Sequence, residues 1–258
     1  MQPNLEHVIE IARAAGEILR QGYGQQHQVE YKGEIDLVTE IDKQSEALIL
    51  SEINKHYPGQ TLFTEESGEH AGQAEHVWYI DPLDGTLNYA HGMRLFCVSI
   101  AYAHQGYLTL GVIYDPLADE LFAAQRGQGA QLNGQPMHVS QVDSLIRSLL
   151  VTGFPYDAKI NPDNNFAEFQ RFTTLSQGVR RLGSAALDLA YVAAGRLDGY
   201  WQKRLNAWDV AAGALLVQEA GGLATDIHGR PDYLSQPQSI LAANPALHAL
   251  MLDVLGEE

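Results

Sequence analysis

Cysteine is nearly absent: Cys97 stands alone among 258 residues and cannot close an internal disulfide. A chain of this length buries a sizeable core without covalent staples, so a single thiol points to a reducing, cytoplasmic compartment. Its place in the apolar run Leu95–Ala101 marks it as a small core side chain. Long apolar runs are missing too. None reaches the span a bilayer demands, and the first residues lack the basic-then-apolar layout of a secretory leader, so no membrane partner is expected. Positive charge is scarce, with 16 Lys and Arg against 32 Asp and Glu and a formal net charge of -16. That balance argues against nucleic acid or anionic lipid as a partner. No His or Cys cluster has zinc-type spacing, so the ten histidines are expected to be scattered surface or packing residues. There is no internal repeat, low-complexity tract or obvious linker.

What is present is an ordinary globular composition, 45% hydrophobic and 19% charged, and one stretch around which the rest is arranged. Val77–Ile80 reads as a buried strand that ends on Asp81. Pro82 has no backbone donor, so the chain is expected to turn there. Asp84 follows, and Gly85-Thr86 makes a plausible helix start. Paired carboxylates at a strand end suit a hard divalent cation, and the amides at the helix start suit phosphate oxygens bound beside it. An isolated Asp-Gly is commonly only a turn. Here the acids come as a pair with Pro and Gly fixing the backbone around them, which points to a site. An acidic chain can still take a phosphate ester if bound cations neutralise the local acids and attract the anion.

Leu5, Val8, Ile9, Ala12, Ala15 and Leu19 recur at helical spacing until Gly22 and Gly24. Val29–Gly33 is a short extended piece. Ile41, Ser45, Leu48, Ile49 and Ile53 share one face of a second helix, for which Asp36 is a possible N-cap and which Pro58-Gly59 ends. Asp42 near its start is open to a structural reading, since the helix dipole favours a carboxylate there. Thr61–Thr64 runs into Glu65-Glu66, apolar strand then acid, the layout repeated at Asp81. Phe96–Tyr102, Tyr107–Tyr114, Leu121–Ala124 and Ala130–Leu132 are β-type runs separated by turn residues, a meandering antiparallel sheet. After Ser148–Thr152 the rhythm becomes α/β: helix Asn164–Ser176, strand Val179–Leu182, a helix from Gly183 through Ala194, strand Leu197–Trp201, and, beyond a loop, a helix from about Asp209 to Ala220. Strands Leu223–Thr225 and Ser239–Ala242 and a helix Pro245–Leu255 close the chain. Asp209, where a helix begins, can be an ordinary cap or something more.

Four stretches together resemble the inositol monophosphatase family of metal-dependent, lithium-sensitive phosphatases: Asp36–Asp42, Thr64–Ser67, Asp81–Asn88 and Trp208–Gly213. Gly183–Ala186 and Glu219–Gly222 match as well, in the same order. The likeness spans nearly the whole chain, and Asp-Pro-Leu-Asp-Gly-Thr followed by Trp-Asp is a specific combination. It implies an α/β (α+β) five-layer αβαβα sandwich, with an antiparallel sheet in residues 1–145 and a smaller mixed sheet in residues 146–258. It implies hydrolysis of a small phosphorylated polyol, foremost inositol monophosphate, with two or three Mg²⁺. Carried over by position, Glu65, Asp81 and the Leu83 carbonyl would hold one ion, and Asp81, Asp84 and Asp209 a second. A third ion would lean on Glu65. Asp42 and Thr86 match the pair that orders the attacking water. Asp84, Gly85, Thr86 and Asp209 would face the phosphate and its ester, while Gly183, Ser184 and Ala185 would face the leaving alcohol. A homodimer is also implied.

The chemistry suits these residue types without the family. A phosphate monoester dianion repels an incoming hydroxide unless cations offset charge at both ends of the displacement. Thr86 can donate to one group while accepting from water, with Asp42 keeping it oriented.

One position departs from the family pattern. Many inositol-phosphate members carry a glutamate before the Trp-Asp where Gln202 stands here, and Lys203 and Arg204 follow at once. Both cations can simply point to solvent. They can equally favour a more anionic leaving group, such as fructose 1,6-bisphosphate or 3'-phosphoadenosine 5'-phosphate; histidinol phosphate is another alcohol phosphate used by relatives. A non-catalytic regulatory binding protein is the alternative of another class, and a plain polyol-binding protein a third.

Overall fold

The amphipathic spacing at the start of the chain is realised as α1 (Leu5–Gly22), capped by Asn4, whose side chain accepts from the His7 amide at 2.8 Å. The computed structural model describes residues 2–25, 29–31, 37–236 and 238–256. A short ribbon, β1 (Val29–Tyr31) and β2 (Leu37–Thr39), leads into α2 (Glu40–His56). Asp36 lies outside the described residues, and the cap of α2 is Thr39. There follow β3 (Gln60–Thr64), β4 (Gly68–His70), β5 (Gln73–Asp84), α3 (Thr86–Ala90), β6 (Cys97–His104), β7 (Tyr107–Asp115), β8 (Glu120–Gln125), β9 (Ala130–Leu132) and β10 (Gln135–Pro136). The second half holds β11 (Leu149–Thr152), α4 (Phe166–Leu175), β12 (Gly178–Arg180), α5 (Ala185–Ala193), β13 (Gly199–Leu205), α6 (Ala207–Glu219), β14 (Leu223–Thr225), β15 (Gln238–Ala243) and α7 (Pro245–Gly256).

Beside the β1–β2 ribbon, the strands of the described residues make two sheets. The larger has eight strands in the order β10-β9-β8-β7-β6-β5-β3-β4, antiparallel except where β3 runs parallel to β5. The smaller has five, in the order β12-β11-β13-β15-β14, with β11 parallel to both its neighbours and β13, β14 and β15 joined antiparallel. Helices α1 and α2 cover one face of the large sheet, α5 and α6 fill the space between the sheets, and α4 and α7 cover the far face of the small one. The result is the αβαβα sandwich implied by the resemblance.

Strands buried on both faces read as continuous apolar runs rather than alternating ones, and the alternation appears only in which core each side chain enters. On β6, Val98, Ile100 and Tyr102 join the core under α1 and α2, whereas Cys97, Ala101 and Ala103 face α5 and α6. On β13, Tyr200 faces the central helices and Trp201 the outer pair. The small-residue run of α6 follows from crowding: a Cβ on Gly213 would stand 2.4 Å from the Leu189 Cβ of α5. Two expectations need correcting. The strand read as Val77–Ile80 does not end at Pro82 but continues to Asp84, and the one read as Leu197–Trp201 continues to Leu205, so Gln202, Lys203 and Arg204 lie on a strand rather than in a loop. Both extensions pass through a β-bulge.

Candidate active site

The bulge in β5 is what makes Asp81 and Asp84 a pair. Residues three apart on a regular strand face opposite ways. Here Asp81 lies opposite Ser99 and Asp84 opposite Cys97, three steps along β5 against two along β6. The extra residue restores parity, and both carboxylates face the side where Cys97 meets the central helices. Pro82 falls inside the bulge, where the ladder is interrupted and its missing donor costs nothing. The turn is tied down by the Leu83 amide donating to Asp81 Oδ1 at 3.1 Å and by the Ser45 hydroxyl donating to the Pro82 carbonyl at 2.9 Å. Gly85 then reverses the chain into α3 with φ 96°.

The other acids arrive by two devices. Glu65 follows β3, its amide extending the parallel pairing by donating to the Ile80 carbonyl at 3.2 Å. Asp42 and Asp209 are each the third residue of a helix, and each reaches back to the cap: the Thr39 amide donates to Asp42 Oδ2 at 2.9 Å, and the Asn206 amide to Asp209 Oδ2 at 2.7 Å. The N-caps are thus Thr39 and Asn206 rather than Asp209, and both acids have the structural role of closing a capping box, while Asp209 also lines the cleft. Asp42 is fully buried behind it, with the Thr86 hydroxyl 3.0 Å from its Oδ1 and 3.0 Å from the Leu83 carbonyl. That hydroxyl has one hydrogen for two acceptors, so its orientation follows the charge on Asp42.

Glu65, Asp81, Leu83, Asp84, Gly85, Thr86, Gly183, Ser184, Ala185, Gln202 and Asp209 line one cleft. Ser184, in the segment expected to face the leaving alcohol, lines the cleft and is held on Asp84: its hydroxyl and the Ala186 amide donate to Asp84 Oδ2 at 2.6 and 2.7 Å. Burial pushes the Asp84 carboxyl up, and these donors pull it back. Asp42 is raised by burial as well, against donors from Thr39 and Thr86. Asp81 is raised well above the carboxylate range, first by burial, then by Glu65, Asp84 and Asp209. Cys97 beneath them is held as a thiol by burial and by Asp84 and Asp81, in keeping with its core reading.

Buried like charges of this kind call for positive charge among them. The cationic residues lining the cleft, Arg181 and Arg204, are both exposed. The ligand atoms on offer are carboxylate and carbonyl oxygens, which fit Mg²⁺ and not a soft metal. No three of these acids bring one oxygen each within 4.8 Å of the others; among the described residues the trio that does is His7, Glu52 and His56, two of the histidines expected to be scattered.

Several lining residues escaped the sequence reading. Gly153–Tyr156 form one wall, and Arg181 and Asp188 stand on the side of α5. Arg181 looks locally like Arg180. Asp188 did carry a signal: it is a lone acid in the apolar run Ala185–Ala194, four residues after Ser184. Lys203 does not point to solvent. Its ammonium lies 2.8 Å from both Asp163 and Glu168 and does not line the cleft, whereas Arg204 does, paired with Asp157 at 2.9 Å. The buried Tyr200 hydroxyl donates to Gln202 Oε1 at 2.8 Å, which leaves the amide hydrogens as the free side of Gln202.

The sequence model of the inositol monophosphatase family matches residues 1–258. The chain is 47% identical to the inositol-1-monophosphatase of Synechocystis, over 99% of this chain and 90% of that protein. It is 45% identical to the Nus factor SuhB of Salmonella typhimurium, over 100% and 97%. The inositol monophosphatase of Anabaena superposes with a TM-score of 0.88 at 47% identity, over 97% and 94% of the two chains. A match along the whole chain, shared with relatives at nearly half identity, establishes that this protein belongs to the inositol monophosphatase family.

Proposed function

We propose that the cleft hydrolyses small phosphorylated polyols with Mg²⁺, foremost inositol monophosphate. The observation that carries this reading is the bulge-aligned pair Asp81 and Asp84, lining one cleft with Glu65, Asp209 and the Gly85–Thr86 turn. Glu65, Asp81, the Leu83 carbonyl, Asp84 and Asp209 would hold two or three Mg²⁺. Bound there, the cations offset the charge of the phosphate and activate the attacking water. With Asp42 ionised, Thr86 donates its hydrogen to Asp42 and keeps a lone pair to accept from that water. The amides of Gly85 and Thr86 receive phosphate oxygens. Ser184 positions Asp84, and Gly183 and Ala185 border the alcohol. A homodimer belongs to the same proposal by way of the family.

A second reading of the alcohol side rests on a specific observation. Arg181 makes no ion pair among the described residues, and Gln202 offers hydrogens where a glutamate would offer charge. Both suit a leaving group that carries a second anion. Lys203, neutralised by two acids, drops out of that reading.

The test is phosphate release from inositol 1-phosphate, fructose 1,6-bisphosphate, histidinol phosphate and 3'-phosphoadenosine 5'-phosphate, with Mg²⁺ and with chelator, followed by Li⁺ titration. Turnover should require Mg²⁺ and fall by more than about 100-fold in Asp84→Asn, beyond the loss typical of an outer partner. Turnover retained in that variant would refute the metal reading, whereas a parent protein that releases phosphate from none of the four would favour a regulatory role. Arg181→Ala should lower release from the bisphosphates about tenfold more than from inositol 1-phosphate. An equal fall on both removes the second reading and leaves the first.

A further inference from the structure

We propose that His7, Glu52 and His56 form a second metal site, separate from the cleft, that takes one divalent transition cation of the zinc type. Glu52 and His56 are one helical turn apart near the end of α2, and His7 comes from the first turn of α1. Each offers one ligand atom, and these lie within 4.8 Å of one another. His56 Nε2 is 3.5 Å from Glu52 Oε2. That is close to the edge of a tetrahedron with ligands about 2.0–2.2 Å from its centre, which is about 3.4 Å. The two imidazoles meet edge to face, with ring centroids 4.5 Å apart.

A further contact orients the set. The hydroxyl of Tyr57, a buried residue, lies 2.7 Å from His7 Nδ1. With the hydrogen on Nδ1 and the Tyr57 oxygen accepting it, the Nε2 lone pair is left for a cation, the arrangement that fixes tautomer and ring direction in histidine metal sites. Two imidazoles and a carboxylate match the three protein ligands of an open zinc site, with water completing the shell. They do not match Mg²⁺, which takes oxygen ligands. Lys55 Nζ stands 3.4 Å from the same Glu52 oxygen and must swing aside, which its exposed position permits. The site is remote from the cleft. Asp42 and His56 are fourteen residues apart on α2, about 21 Å along its axis. An ion here would pin the start of α1 to the end of α2, a contact that the spacing of ligands in the sequence does not reveal.

Titration of the intact protein with Co²⁺ in excess Mg²⁺ tests this, because Mg²⁺ competes for the oxygen ligands of the cleft but not for imidazole. The expected result is one equivalent of Co²⁺ with the visible absorption of a four-coordinate, nitrogen-containing site, displaced by Zn²⁺. His7→Ala and His56→Ala should each abolish it. Tyr57→Phe should weaken Co²⁺ binding about tenfold while keeping the band. His7 is partly exposed and His56 exposed, and the fold of each variant is checked by its circular dichroism. No band in the wild type, or a band that survives His56→Ala in the folded variant, overturns the proposal.

Discussion

Asp188 is buried on α5, and its Oδ1 makes no hydrogen bond among the described residues. Burial, then the neighbouring Asp84, raise its carboxyl well above the ordinary range, against the pull of Arg181. In the unfolded chain an aspartate gives up its proton near about pH 3.9, whereas the folded protein keeps it to higher pH. Across that interval the unfolded state binds fewer protons, so stability falls as pH rises. The contribution is whole below the unfolded pKa and is lost as pH climbs through the folded one. Asp188→Asn keeps the shape and removes the charge. It should be more stable than the parent at about pH 8, by roughly 1–3 kcal/mol, because the amide has no charge to bury, although its polar atoms stay unpaired. The difference should close towards about pH 4. Melting curves at the two pH values check this, and a variant no more stable than its parent at the higher one contradicts it. The same residue marks the reach of local reading. A lone acid in an apolar helix can be flagged from its neighbours alone, but nothing local separates Arg181 from Arg180. The partners of Lys203, 35 and 40 residues upstream, depend on where α4 packs.

The turn between β5 and α3 depends on Gly85. A Cβ there would come 2.8 Å from the Leu95 carbonyl oxygen, in a backbone with φ 96°. Gly85→Ala should destabilise the protein by about 1–3 kcal/mol through left-handed strain alone. It should also cut phosphate release sharply, because Asp84 and Thr86 flank the turn. Melting temperature and turnover measured on one preparation check both, and an unchanged melting temperature would mean that the turn relaxes without strain. The site acids were readable because each stands at the end of an element: Glu65 after β3, Asp81 and Asp84 at the end of β5, Asp42 and Asp209 in the first turns of α2 and α6. The two strands that bring Asp84 and Gln202 to the cleft run on past Pro82 and Trp201. Proline and polar residues ordinarily end a strand, and both strands continue through bulges whose register depends on the neighbouring strand. The histidine trio was out of reach for the same kind of reason, since its members meet only when α1 packs on α2.

At the scale of the whole molecule, the change of rhythm near residue 145 separates two architectures, and we propose that it does not separate two folding units. The inner face of the large sheet is covered by α5 and α6, which come from the second half. One core joins Leu108, Ile113, Phe122, Met137 and Val139 to Leu189, Leu215 and Ile240. The cleft is divided in the same way, with Glu65, Asp81 and Asp84 on one side of residue 145 and Ser184, Gln202 and Asp209 on the other. Stripping the second half from residues 1–145 would expose those first five side chains at about 1.5–3 kcal/mol each, a loss on the order of 10 kcal/mol. That is comparable to the roughly 5–15 kcal/mol by which a whole domain is stable. Residues 1–145 expressed alone should therefore give no cooperative melting transition, and the intact chain should melt in a single one. Calorimetry of the two checks this, with the near-ultraviolet circular dichroism of the fragment as a second reading of its packing. A fragment that melts cooperatively would show that α1 and α2 alone stabilise the large sheet, and that the cleft is assembled by docking two finished halves.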